Sequence, residues 1–167
     1  SYLVQAVENG AHTLFSTEVT GGEFDGATWR LETTKGRVNS RTVVNCAGLY
    51  ADKLNMALLG ESDFEIRPRK GQFVVFDKAA SEFLNAIILP VPNAQTKGIL
   101  VTRTIFGNVL VGPTAEEQKS REDTSVDQET LESLKTMASQ IIPAFADMPV
   151  TAVYAGIRPA TEEKQYR

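Results

Sequence analysis

Ile99-Leu100-Val101-Thr102-Arg103-Thr104-Ile105-Phe106-Gly107-Asn108-Val109-Leu110-Val111-Gly112 is the stretch whose pattern decides the fold. Two runs of apolar and β-branched residues, 99–103 and 108–112, flank a tight turn at Phe106-Gly107, which predicts two antiparallel strands. Upstream, 72–76 and 86–89 also have strand composition, and downstream 150–158 supplies a final strand. The intervening loop, 113–124, is polar and acidic. Ser125 and Gln128 then fit a capping box, and Leu131, Leu134, Ala138 and Ile141 form one apolar stripe of a helix that Pro143 ends.

Further toward the start the texture changes. Leu3, Val4, Ala6 and Val7 predict a helix stopped by Asn9-Gly10. Residues 13–19 have strand composition up to Thr20-Gly21-Gly22. Residues 27–33 alternate around Trp29 and Leu31, and Lys35-Gly36 turns the chain back into 37–40, giving a small antiparallel meander. A short β-branched strand over 42–45 enters Cys46-Ala47-Gly48. A second helix follows, with Leu54, Ala57 and Leu58 at helical spacing and Gly60 as its stop. The order, with no internal repeat, predicts an α+β fold, an antiparallel or mixed sheet with flanking helices. It divides at 52, with residues 1–52 as one part and the sheet of 53–167 as the other.

The 167 residues are 42% hydrophobic and 23% charged, enough for a sizeable core without disulfides or a structural metal. A net charge of −4 argues against nucleic acid as a partner, because phosphate neutralisation needs a basic face. It leaves room for a small anionic substrate, which one arginine can hold. The single cysteine, Cys46, and single histidine, His12, exclude an internal disulfide and a Cys/His zinc site. A reducing, cytoplasmic setting is the natural expectation, with no apolar run near the ~20 residues that cross a bilayer. The chain opens inside a helix without Met and closes just after a strand, as expected of an interior piece of a longer protein.

Four places could carry chemistry. In Val43-Val44-Asn45-Cys46-Ala47-Gly48-Leu49-Tyr50-Ala51-Asp52, small residues between a strand and a helix would let a ligand approach the backbone or the helix N-terminus. The same residues equally suit a tight turn avoiding a clash. In Val153-Tyr154-Ala155-Gly156-Ile157-Arg158-Pro159, alternation places Tyr154, Gly156 and Arg158 on one face and Val153, Ala155 and Ile157 on a core face. An aromatic ring, a bare backbone and a guanidinium fork suit a planar ligand with a carboxylate or phosphate. An edge strand with a solvated arginine would look the same. Arg67-Pro68-Arg69-Lys70-Gly71 reads as a solvated lead-in to a strand, and Arg103 as an arginine snorkelling from an apolar face. His12 lies in a surface turn and Cys46 in a buried, inert strand. No G-x-G pair occurs among the twelve glycines, so the dinucleotide fingerprint is missing, and the phosphate-loop pattern is absent too.

Together these segments resemble a family. Val43–Asp52 is similar to the second FAD-contacting segment of D-amino-acid-oxidase-like flavoproteins, and Arg67-Pro68-Arg69-Lys70-Gly71-Gln72 to the entry of their substrate sheet. The hairpin continuing through Pro113-Thr114-Ala115-Glu116 and the segment Ala155-Gly156-Ile157-Arg158-Pro159-Ala160-Thr161 also resemble that group. The branch with glycerol-3-phosphate dehydrogenases and 2-hydroxyglutarate oxidases is the best match. The resemblance implies an FAD-dependent oxidoreductase as parent. Arg158, Tyr154 and Arg103 would then be substrate-binding, and Ala47, Gly48 and Gly156 would lie beside the cofactor. No general base is assigned, and no metal is implied. It further implies that the chain, lacking the glycine fingerprint, binds FAD weakly and is inactive alone, its partners being the substrate and the rest of the parent. The competing expectation is a stand-alone, non-enzymatic α+β module that binds a ligand or a protein.

Overall fold

In the computed structural model, residues 1–91 and 99–161 are described. The chain divides into two compact units, Ser1–Glu65 and Ile66–Arg167.

The first unit opens with helix α1 (Tyr2–Glu8), capped at Asn9 as the Asn9-Gly10 stop predicts. The meander follows as β1 (Val19–Phe24), β2 (Trp29–Thr33) and β3 (Gly36–Ser40), paired antiparallel in chain order. The strand expected over 13–19 begins only at Val19, and Thr20-Gly21-Gly22 lies inside it rather than ending it. The reason is packing. A Cβ at Gly22 would sit 3.0 Å from Leu31 Cδ2 and 3.0 Å from Leu58 Cδ2, so a bare backbone lets a helix lie close on the strand. That helix is α2 (Ala51–Leu59), which ends at Gly60 as expected and packs on β1. It packs with the meander, although most of it lies beyond residue 52.

The strand expected over 42–45 does not form. A strand needs a neighbour to satisfy its backbone groups, and none of the described strands pairs with these residues. Val44 is accordingly 77% exposed, and Cys46 is exposed rather than buried in a strand.

The second unit is built on β4 (Arg67–Phe76), which is longer than the sequence indicates. The cluster 67–70 is the first half of the strand, not a lead-in, and Lys70 is buried. Along one edge β4 pairs with β8 (Val150–Ala160) from Arg67 to Phe76. The other edge is therefore shared by β6 (Val109–Gly112), opposite Val74–Phe76, and by β7 (Glu116–Glu117), opposite Arg69 and Lys70. The predicted hairpin is present: β5 (Leu100–Arg103) pairs with β6, and the Thr104 N–H bonds the Asn108 carbonyl at 2.8 Å. The expected strand over 86–89 is reduced to one bridge between Ile88 and Val101. Pro90, which has no N–H, cannot extend that ladder.

Directly opposed residues of antiparallel strands share a face. One face carries Val74, Phe76, Val101, Val109 and Val111, and helix α3 (Gln128–Ile141) covers it with Leu134 and Ala138. Phe76 and Phe145 stack at 5.1 Å between ring centroids in this core. The capping residue of α3 is Asp127, whose carboxylate accepts the Thr130 N–H at 2.7 Å; the expected cap at Ser125 lies two residues too early. The face of β8 assigned to core is only half covered, with Val153 38% exposed, because β8 is a sheet edge in the described chain. A groove of about 290 Å³ lies there, lined by Leu131, Lys135, Met148 and Val150 among others.

Candidate functional site

The sheet face opposite α3 carries the candidate site. Cross-strand pairing sets out its rows: Val75 with Leu110 and Ala152, Phe73 with Tyr154, Gly71 with Gly156, and Arg69 with Arg158 and Glu117. Strand alternation thus brings Tyr154, Gly156 and Arg158 to one face, as their spacing predicts. Tyr154 is 58% exposed, and Gly156 and Arg158 are exposed as well.

Two arginines directly opposite one another repel. Here β7 supplies the counter-charge: the Arg69 guanidinium donates to Glu117 Oε1 at 2.8 Å, and the Arg69 side chain is only 14% exposed. Arg158 makes no ion pair with any described residue. The row Glu117–Arg69–Arg158 therefore holds its inner arginine neutralised and presents its outer one to solvent, ready to pair with an anion. From sequence, Arg69 appears only within a run read as a solvated lead-in, and Glu117 does not appear among the candidates. Extending the alternation of Phe73 and Val75 backward through Gly71 would have placed Arg69 on this face.

Behind this face a polar cluster ties the strand to its loops. The Gln72 side chain is fully buried; its Nε2 donates to Glu116 (3.1 Å to Oε1) and to Asp127 Oδ2 (2.5 Å), and its Oε1 accepts the Asp127 N–H at 3.1 Å. Thr114 Oγ1 accepts the Gln72 N–H at 3.0 Å and donates to Glu116 at 2.6 Å. Lys70 reaches Ser125 Oγ at 3.2 Å and Asp123 at 3.5 Å. The sequence 113–127 is thereby fastened to β4, which fixes Pro113 over Gly71.

The Gln72 amide, with the Thr130 N–H next, holds the Asp127 carboxyl down to about 2 from an ordinary 3.8. A depressed carboxyl contributes stability that is complete above its unfolded value and is lost as pH falls through the folded one. Asp127→Asn removes the charge and keeps a residue that caps helices well. Its single amide oxygen can accept only one of the two N–H groups that the carboxylate now accepts, from Thr130 and from Gln72, so some stability is lost at every pH. Melting temperatures of the chain are therefore expected to fall less steeply in the variant between pH 3.8 and about 2. An acid limb identical to wild type would contradict the role given to this carboxylate.

Arg103 is placed elsewhere. It opposes Val109, on the α3 face, and donates to the Ser81 carbonyl at 2.7 Å. The structure does not bring it to the face of Arg158 and Tyr154.

In the first unit, Ala47 and Gly48 lead into a turn of 3₁₀ helix (Gly48–Tyr50) before α2. Asn45 fastens the turn: its Nδ2 donates to the Ala51 carbonyl at 2.8 Å and to Asn55 Oδ1 at 2.7 Å, and its Oδ1 accepts the Ala47 N–H at 3.1 Å. Gly48 has φ +55 with open space where a Cβ would stand. These residues fit close approach of a flat cofactor, but they offer no loop to wrap a pyrophosphate. His12 is exposed, as expected. Among the described residues no group of His, Cys, Asp and Glu could hold a metal, and no helix is long and apolar enough to cross a membrane.

Residues 1–166 match the DAO family, described as FAD dependent oxidoreductase. The chain is similar to a glycerol 3-phosphate dehydrogenase of Caloramator mitchellensis, 34% identical over 161 residues that cover 96% of this chain and 33% of that protein. It is 30% identical over 159 residues to a glycerol 3-phosphate oxidase of Mycoplasma pneumoniae, covering 92% of this chain and 41% of the relative. Its fold is similar to the FAD-bound structure of L-alpha-glycerophosphate oxidase from Mycoplasma pneumoniae, with a TM-score of 0.83, 27% identity, and coverage of 95% of this chain and 42% of that one. The chain thus spans about a third to two fifths of the length of these relatives.

Proposed function

Because the chain belongs to the FAD dependent oxidoreductase family, we propose that its second unit forms the substrate-side wall of a flavoenzyme that oxidises a small anionic alcohol. Glycerol 3-phosphate is the favoured substrate, and a 2-hydroxy acid is the alternative of the same chemical class. The observation that carries this reading is Arg158: a guanidinium on an open sheet face with no described carboxylate to pair with. It would clamp the phosphate or carboxylate and so fix the position of the carbinol carbon. Tyr154 would wall one end and offer its hydroxyl as a hydrogen-bond partner. The flavin, when bound, supplies the hydride acceptor. Ala47 and Gly48 would lie beside it, and their open turn is what supports that placement. With no G-x-G pair in its 167 residues, the chain alone is proposed to hold FAD weakly and to be inactive.

The test uses the full-length, flavin-loaded protein without oxygen. Glycerol 3-phosphate is expected to bleach the flavin absorbance, whereas glycerol, which lacks the anion, leaves it intact at the same concentration. Equal bleaching by both, or none by any anionic alcohol, would remove the anion clamp from the account.

A further inference from the structure

Gly156 is a residue without a local reason to be glycine. A glycine inside a strand is a weak choice, since it adds backbone entropy to the unfolded chain and packs nothing. Most of the other described glycines have visible reasons; Gly21 does not, since an added Cβ there would meet only the Ala57 carbonyl at an ordinary 3.9 Å. Gly22, Gly71 and Gly112 have atoms within 3.0 Å of where a Cβ would stand, and Gly10, Gly26, Gly36, Gly48, Gly60 and Gly107 have positive φ. Gly156 has neither: its backbone is ordinary strand, and nothing lies within 4 Å of an added Cβ. It is the one described glycine with both properties.

The empty position has defined surroundings. Tyr154 and Arg158 stand on the same face of β8, one on each side of it, each two residues or about 6.8 Å along the strand. On the neighbouring strand Gly71 lies opposite, and Pro113 covers it closely enough that a Cβ there would come within 2.9 Å of the proline Cβ. The result is an open strip of sheet face with bare backbone between an aromatic residue and a guanidinium along β8, and with the Gly71–Pro113 row beside it.

We propose that Gly156 is the floor of the substrate site and sets the bulk of substrate it admits: the carbon chain next to the anion lies directly on this backbone. The proposal rests on the reading of Arg158 as the anion anchor. An anionic substrate held by Arg158 with its chain running along β8 toward Tyr154 would cross the adjacent position, so the proposed occupant is the substrate's own chain rather than the flavin ring expected there from sequence. The strip suits a short, unbranched chain bearing one phosphate or carboxylate, and a branch at the first or second carbon would meet the floor.

Gly156→Ala and Gly156→Val test this in the full-length, flavin-loaded protein. Because the Cβ space is open and the backbone is ordinary, both variants are expected to melt no lower than wild type and to keep their full flavin content. With glycerol 3-phosphate, KM is expected to rise about tenfold for alanine, and kcat/KM to fall about 100-fold for valine, the order expected when a bound substrate is displaced by about 1 Å. Three results would overturn the proposal. Unchanged kinetics would mean that nothing lies on the glycine. Loss of flavin would mean that the cofactor does. A lower melting temperature in both variants would mean that a protein segment does. If Arg158→Ala impairs activity while Gly156→Val does not, only the role of Gly156 is lost; if neither changes, the anion-anchor reading falls as well.

Discussion

Replacing Arg158 by alanine in the full-length, flavin-loaded protein is expected to lower kcat/KM for glycerol 3-phosphate by about 30- to 1,000-fold, equivalent to about 2–4 kcal/mol for a lost charge-assisted, bidentate contact. Most of the loss should appear as a higher KM, because the anion is bound in the ground state as well as the transition state. Folding should not suffer. Arg158 has no ion pair among the described residues, and its removal relieves repulsion with Arg69 directly opposite. Arg158→Lys keeps the charge but not the planar fork, and is expected to fall between the two. Steady-state kinetics together with a thermal melt separate these effects, and kinetics equal to wild type would take Arg158 out of the site.

The second large effect concerns folding alone. Gly112→Ala is expected to destabilise the chain by about 3–5 kcal/mol, since a strained backbone and overpacking each contribute about 1–3 kcal/mol. At φ +141 the new Cβ would come within 2.7 Å of the Gln72 carbonyl and 2.7 Å of Phe73 Cδ1. The carbonyl belongs to the central strand and is held by the Thr114 N–H at 3.1 Å, so it cannot step aside. Denaturant unfolding measures the loss. The contrast with Gly156→Ala, expected to be close to neutral in the same experiment, makes the comparison specific to position rather than to glycine. A loss under about 1 kcal/mol at Gly112 would mean that β4 and β6 do not pack as described.

How much of this was legible in the sequence depended on whether the cause of a feature lay nearby in the chain. The β5–β6 hairpin and the stripe of Leu131, Leu134 and Ala138 are set by periodicity and local turns, and they appear where expected. The face shared by Tyr154, Gly156 and Arg158 follows from alternation alone. Readings failed where the cause was remote. Thr20-Gly21-Gly22 looks like a turn because the helix residue Leu58, which makes Gly22 necessary, is far along the chain. Arg69 and Lys70 look like a solvated charge run because their partners, Glu117 and Ser125, lie 48 and 55 residues away. The strand expected at 42–45 fails for a related reason: β-branched composition does not supply a neighbour. Arg103 shows the opposite limit, since its pairing with Val109 sets it on the helix-covered face of the sheet.

The most direct test of the central claim is a crystal structure of the full-length, oxidised protein with glycerol 3-phosphate or an unreactive analogue bound. The account predicts the phosphoryl oxygens within hydrogen-bond distance of the Arg158 guanidinium, with the carbon chain lying over Gly156. An anion bound away from the face of Tyr154, Gly156 and Arg158, with Arg158 still facing solvent, would contradict it.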